Sequence, residues 1–241
     1  MNVSDCGEYG DIFKERGYLY HLAMEKYPKA REKEFRNLFE SPAYPVRYGE
    51  SILDIPSLGG YLDLFIDEIV DIKYADFAPT KNVINLESPY SNWDLGMFDR
   101  IISLASTHHI KNINKFISNI DNHLNVGGVV TIADVEYDSG VSKFLDGYVD
   151  KYTITGSHKG FYYNFSEIET PWKTIGNMKK KCDWKFETLD EMVCFCSLLF
   201  GLINYSSIDL LEILDKNIGI VHTENGFVLQ WELVYNHYVK I

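Results

Sequence analysis

His108 and His109 follow directly on the apolar run FDRIISLAS (98–106). Imidazole changes charge near neutral pH, so a histidine at the exit of a strand can take a proton from a reacting group. The plainer reading is one ring packed inward and the other bonded to backbone. A second group lies upstream, where ILDIPSLGG (52–60) runs from an apolar strand through Pro56, Ser57 and Leu58 into Gly59 and Gly60. Glycine at such a turn lets the backbone approach a ligand closely. The turn lacks the GxGxxG of a dinucleotide binder and the Lys-Ser/Thr of a phosphate loop, so a pyrophosphate is not expected there. Asp76 stands sixteen positions beyond Gly60, near the end of IVDIKYADF (69–77). An acid at the tip of a second parallel strand can accept both hydroxyls of a ribose. Alone it also reads as an aspartate opening the turn before Pro79; the glycine pair upstream favours a nucleoside.

The elements that must position these groups alternate. Apolar strands are expected at 51–55, 69–77, 82–88, 98–106 and 129–135, with helices at 61–68 and 112–124 and a turn at NVGG (125–128). Strands apolar on both faces and separated by helices predict a parallel sheet covered on both sides. Two helices precede it, divided at Pro28, which supplies no amide hydrogen. After residue 135 the alternation stops. A tyrosine-rich loop (160–165) leads to two further helices, and the chain ends in two strands around TENG (223–226), where Asn-Gly favours a tight hairpin. The domain reading is a helical segment (1–48), an α/β core (49–135), a helical insertion (136–216) and a C-terminal β-hairpin (217–241) completing the core sheet.

Composition narrows the function. The 241 residues carry 23 basic and 35 acidic side chains, a formal charge of −12, and 46% are hydrophobic. An acidic surface repels phosphate backbones, so nucleic acid is not an expected partner. The one basic cluster, Lys179-Lys180-Lys181, reads as a solvated helix face. No run approaches the ~20 apolar residues of a membrane span. Cys6, Cys182, Cys194 and Cys196 lack metal-ligand spacing and read as free thiols in a reducing compartment, hence a cytoplasmic protein with no metal site.

Asp54 with PSLGGYL, YADFAP, FDRIISLASTHHI and HLNVGGVVTIADV, in this order over about residues 50–135, resemble the successive motifs of class I S-adenosylmethionine-dependent methyltransferases, in their small-molecule branch. The resemblance implies a Rossmann-like, mostly parallel seven-stranded sheet closed by an antiparallel final strand, an N-terminal helical lid and a substrate-side insertion after the fifth strand. It implies S-adenosylmethionine as cofactor. Asp54 would orient the loop and meet the amino or sulfonium end, while Ser57, Gly59 and Gly60 line the methionine portion. Asp76 would take the ribose hydroxyls, Phe77 the adenine face, and Asn85 or Glu87 the adenine amino group. Ser103 and Ala105 would form the floor between cofactor and substrate. The sequence departs from the family where Pro56 and Leu58 stand in glycine positions. A positive φ at Leu58 would cost ~1–2 kcal/mol, and its side chain would crowd the cofactor.

Under that resemblance His108 and His109 lie beside the transferred methyl, as base or substrate contact. Arg16, Tyr20 and His21 sit on the lid, where Arg16 clamps a carboxylate of substrate or cofactor, or else pairs with a surface acid. Tyr152, His158, Tyr162 and Tyr163 offer an apolar pocket with polar tips, or else the core of the insertion. The expected activity is methyl transfer to an O, N or C atom of a small-molecule acceptor, with a homodimer left open. The alternatives are a cyclase-type enzyme on the same fold, or an interaction protein that has lost its cofactor.

Overall fold

The computed structural model describes residues 9–41, 43–80 and 82–241, apart from the side chains of Asp11, Lys14 and Glu15. Cys6 lies outside the described residues. Cys182, Cys194 and Cys196 are free thiols.

Runs of apolar residues between turns give the central strands: β1 (Ser51–Asp54), β2 (Asp71–Asp76), β3 (Ile84–Asn85), β4 (Phe98–Leu104) and β5 (Leu124–Asp134). They pair in parallel, β3-β2-β1-β4-β5. Side chains on both faces of β1 and β4 are buried, as strands between two covering layers require. The chain builds outward from β1 to β3 and then returns to the other side of β1 with β4. The carboxyl ends of β1 and β4 therefore diverge at a switch in strand order, the place where open α/β sheets take ligands.

Two more strands complete the sheet. β6 (Lys173–Lys181) forms its edge, and the C-terminal strand β10 (Glu232–Val239) inserts antiparallel between β5 and β6. This is the mostly parallel seven-stranded sheet expected, with its antiparallel closing strand. A separate three-stranded antiparallel sheet joins β7 (Trp184–Phe186) to β8 (Ile220–Thr223) and β9 (Gly226–Leu229) in the order β7-β9-β8.

Five local expectations are corrected. Residues 61–68 form one 3-10 turn, Leu62–Phe65, in place of a helix. Phe65 stacks on Phe35 with centroids 4.7 Å apart, so the helix α2 (Glu32–Arg36) helps cover that face. β3 shrinks to two residues of the expected 82–88. The segment 136–216 is not purely helical, because it contributes β6 and β7. Lys179-Lys180-Lys181 accordingly lies on an edge strand, where Lys179 meets Glu136 and Glu232 and Lys180 meets Glu40; such charges blunt an open sheet edge. The hairpin around TENG exists, but it belongs to the small sheet, and only β10 completes the core. Trp231, in the break between β9 and β10, stacks on Trp184 of β7 at 4.1 Å and ties the two sheets together.

The helix α1 (Tyr9–Lys26) ends before Pro28, as expected, and lies against α6 (Leu189–Phe200). Thr188 caps α6, its hydroxyl accepting from the Glu191 amide at 3.1 Å, and Gly201 ends it at φ 61°, a left-handed value that suits glycine. Thr188→Ala is expected to cost about 1 kcal/mol, read as a fall of about 2–4 °C in melting temperature.

Candidate functional site

β1 delivers Asp54 to the switch point and the chain turns at once. Leu58 adopts φ 44°, in the left-handed region, and its side chain is buried. The turn is held by Ser57 N–H donating to the Ala75 carbonyl at 3.0 Å and by Leu58 N–H donating to the Asp76 carboxylate at 2.6 Å. Asp76 also accepts from Ala78 N–H at 2.8 Å and from the Tyr9 hydroxyl at 3.2 Å. Asp76 is 0% exposed. Burial pushes its pKa up to about 6 despite these donors. Asp54 is raised well above the usual carboxylate range, by burial first and by Asp76 second. Two ionised carboxylates so enclosed are costly unless something neutralises them.

The two glycines serve the chain's own rings. A Cβ on Gly59 would fall 2.0 Å from Cε1 of His21, and one on Gly60 would fall 2.9 Å from the Tyr74 ring. His21 itself hydrogen-bonds the Tyr61 hydroxyl at 2.6 Å.

Across the crevice, β4 and β5 run in register with Leu104 opposite Ala133. The residues just beyond therefore meet. Asp134 accepts from the Thr107 hydroxyl, from His108 N–H at 2.9 Å and from His108 Nδ1 at 2.6 Å. An ionised carboxylate can only accept, so Nδ1 carries a proton, and Nε2 is the ring nitrogen not bonded to Asp134. Burial alone would raise the Asp134 pKa, but His108, Thr107 and the Val135 amide together hold it below the usual carboxylate range. Tyr162 stacks on His108 at 5.6 Å and donates to Asp146 at 2.6 Å. Asp146 lies in a π-helical turn, Leu145–Val149, between α4 (Gly140–Phe144) and α5 (Asp150–Tyr152).

His109 and His158 complete a cluster with His108, their ring nitrogens within 4.8 Å of one another. Burial, then neighbouring charge, holds both His109 and His158 well below the ordinary imidazole value. Both nitrogens of His109 and Nδ1 of His158 have no hydrogen-bond partner among the described residues.

These elements line a cleft of about 710 Å³, a volume that includes space open to solvent. Seven of the residues singled out in the sequence line it: Arg16, Tyr20, Asp54, Ser57, Ala105, His108 and His158. Ala105 takes φ 48° at the end of β4. The others stand elsewhere. Phe77 packs among Tyr9, Trp93 and Phe116. Asn85 and Glu87 lie toward the surface. Ser103 bonds Ser106, Tyr152 packs on Tyr148, and the Tyr163 hydroxyl reaches the carbonyls of Ile110 and Lys111. Asp76 lies beneath Tyr9.

Five contributors were not among the sequence candidates. Asp134 orients His108, and Tyr9 closes over Asp76. In the cavity wall Arg31 forms a buried pair with Glu34 and donates to the Tyr20 hydroxyl at 2.6 Å, while Trp184 Nε1 donates to Glu34 at 2.7 Å. Only Asp134 carried a signal, as an acid at the carboxyl end of a buried strand.

No protein-family model matches the sequence, and no curated protein matches it. Solved structures do. A candidate methyltransferase from Bacillus halodurans is 14% identical, with a TM-score of 0.58 over 86% of this chain and 99% of its own. Phosphoethanolamine N-methyltransferase 2 from Haemonchus contortus, solved with S-adenosyl-L-methionine, is 14% identical with a TM-score of 0.57 over 97% of this chain and 60% of its own. The [4+2]-cyclase SpnF is 8% identical with a TM-score of 0.59 over 98% of this chain and 97% of its own. The fold is that of class I S-adenosylmethionine-dependent methyltransferases. Among the described residues no helix is long and apolar enough to cross a membrane.

Proposed function

We propose that this chain is an S-adenosylmethionine-dependent methyltransferase acting on an O, N or C atom of a small-molecule acceptor, with the His108–Asp134 pair taking the acceptor's proton. The observation that carries this reading is a histidine lining the cavity with its Nδ1 bound to a buried carboxylate, which leaves Nε2 as the nitrogen that would take the acceptor's proton. An inert core histidine has no need of that arrangement, whereas a general base does.

The residues fit the cofactor unevenly. At the methionine end the Ser57 hydroxyl is buried with no hydrogen-bond partner among the described residues, and Asp54 lines the same cavity. At the ribose end the Asp76 carboxylate is already engaged by Leu58, Ala78 and Tyr9. The first turn of α1 therefore has to withdraw Tyr9 before Asp76 can receive a sugar. When bound, the cofactor supplies a methyl group on a sulfonium, a strong electrophile that needs alignment above all. Asp54 and Ser57 hold its amino-acid end, Asp76 its ribose and Phe77 its base, with Asn85 or Glu87 at the outer edge. Ala105 and Ser103 form the floor. His108 accepts the proton, His109 and His158 stay neutral, and the α1 residues Arg16 and Tyr20 close the acceptor side. His21, Tyr152, Tyr162 and Tyr163 support these walls from behind.

The test is calorimetric titration with S-adenosylmethionine and S-adenosylhomocysteine, followed by detection of S-adenosylhomocysteine produced with candidate acceptors. Micromolar binding and turnover are expected. Tyr9→Phe is expected to tighten cofactor binding about fivefold, because one hydrogen bond worth about 1 kcal/mol no longer has to be broken; an unchanged affinity would leave Tyr9 outside the ribose path.

One observation favours a second reading. The engagement of Asp76 by three donors of its own chain suits a protein that no longer binds a nucleoside. Absence of binding at millimolar cofactor would select it. Binding without methyl transfer to any acceptor would select a cyclase-type activity.

A further inference from the structure

Arg16 is 5% exposed, and its Nε and Nη1 have no hydrogen-bond partner among the described residues. Its guanidinium lies 4.4 Å over the Phe13 ring, and no carboxylate among the described residues pairs with it. The second arginine of the cavity, Arg31, is paired with Glu34, so the contrast lies within one site. A buried cation left without an anion is costly, and such a group persists where a ligand supplies the charge.

The surroundings say which ligand. Arg16 sits at the end of α6, where a Cβ added to Gly201 would press on its Cγ at 2.9 Å. His158, from the segment after β5, lines the same cavity, with the His109 ring 4.8 Å from it. None of these groups comes from β1 or β2, which carry the groups placed at the cofactor, so Arg16 is assigned to the acceptor side. The lining of the same cavity includes the apolar and aromatic side chains of Phe13, Leu145, Leu199, Phe200 and Trp231. We infer that the acceptor is a carboxylic acid on an apolar, planar body, its carboxylate received by Arg16 with His158 beside it. This inference rests on the methyltransferase reading only for the word acceptor; the acid site stands on its own geometry.

A carboxylate fits better than the other two occupants. One guanidinium balances one negative charge, whereas a phosphate monoester brings about −1.5 to −2 into an apolar cavity. A divalent metal on the three histidines would satisfy their lone pairs but leave the Arg16 donors unpaired and add a second cation beside them. Moreover the nitrogens, spread over up to 4.8 Å, would have to close in to reach the ~2.0–2.1 Å metal–nitrogen distance of such centres.

The experiment uses full-length protein and calorimetry, with and without S-adenosylhomocysteine. The probes are benzoate, indole-3-acetate and hexanoate, each against its amide, together with phenyl phosphate and Zn²⁺. At least one acid is expected to bind about ten times or more tightly than its amide, with the aromatic acids ahead of hexanoate and of phenyl phosphate. Arg16→Met is expected to abolish the acid-over-amide preference, to leave S-adenosylhomocysteine affinity within about twofold, and to melt at or above the parent's temperature without ligand, as removal of an unpaired buried charge should. No preference in any acid–amide pair overturns the inference. So does loss of S-adenosylhomocysteine affinity in Arg16→Met, which would give Arg16 to the cofactor's own carboxylate. Stoichiometric Zn²⁺ binding lost in His158→Ala would make the cluster a metal centre instead, and preference for phenyl phosphate would replace the carboxylate by a phosphate. Should Arg16→Met not fold, the parent's acid–amide and phosphate comparisons still decide. A protein that binds the acids but no cofactor would sink the methyltransferase reading alone.

Discussion

His108→Ala is expected to lower methyl transfer about 10²- to 10⁴-fold, the share a positioned general base contributes, while cofactor affinity changes by less than about twofold. The split follows from position. His108 lines the cavity through its ring and is tied to Asp134, whereas the groups placed to hold the cofactor come from β1 and β2. Asp134→Asn should reproduce most of the loss without removing the imidazole. An asparagine keeps the size of the side chain but not the charge that stabilises a protonated His108, and it can turn an N–H toward Nδ1, which forces the other tautomer. Asp134 also accepts from the Thr107 hydroxyl and the His108 amide, so the variant loosens the whole turn after β4. The measurement is single-turnover transfer of labelled methyl to any acceptor that supports reaction, alongside titration of the cofactor product. A rate undiminished in both variants would assign the pair to packing. Loss of affinity with an unchanged rate at saturation would make His108 a cofactor residue.

Why Asp134 escaped the sequence while His108 did not is a matter of distance along the chain. The two stand 26 positions apart, and only the pairing of β4 with β5 in one register brings them within hydrogen-bond reach. A lone acid at the end of TIAD reads as the close of a strand. His108 and His158 were legible as polar groups at strand exits and in an aromatic loop, and the folded chain brings both to one cavity. The glycines were legible as a place of close approach. What approaches them is His21 and Tyr74, because the α1 and β2 side chains fill the space first. The parallel core could be read because its strands are apolar on both faces. β6 could not, since KTIGNMKKK alternates weakly and carries the lysines that protect an edge. The positive φ of Leu58 entered only as a condition, drawn from the glycine of the resembling family at that place; nothing in the residue itself announced it.

Asp76→Ala is expected to weaken cofactor binding at least about tenfold and toward a hundredfold, since each hydrogen bond to a charged group is worth about 1.5–3 kcal/mol. The same carboxylate anchors Leu58, Ala78 and Tyr9, so alanine also leaves two buried amides unsatisfied, and a milder variant is needed to separate binding from folding. Asp76→Asn serves, through pH. Asp76 has a folded pKa of about 6, above the ~3.9 of an unfolded aspartate. The folded state therefore holds the proton more tightly, and ionisation destabilises the fold. The penalty is absent well below about pH 4, grows from there to about pH 6, and is complete above it. Asp54 is shifted in the same direction. Neutral His109 and His158 act the other way, because the unfolded chain takes up their protons below about pH 6.5. The parent's own profile sums these opposed terms, and the difference between parent and Asp76→Asn removes Asp76's own term together with the part of Asp54's shift that Asp76 causes, both of one sign. In urea unfolding, the Asp76→Asn variant should gain about 1 kcal/mol on the parent between about pH 5 and pH 7.5. A difference that stays flat over that interval would mean the carboxylate is not enclosed as described. Cofactor titrated against the parent over the same interval should bind more tightly once Asp76 is ionised, because a carboxylate accepts from both ribose hydroxyls and a protonated acid does not. The Asp76→Asn variant should lose that dependence along with the affinity.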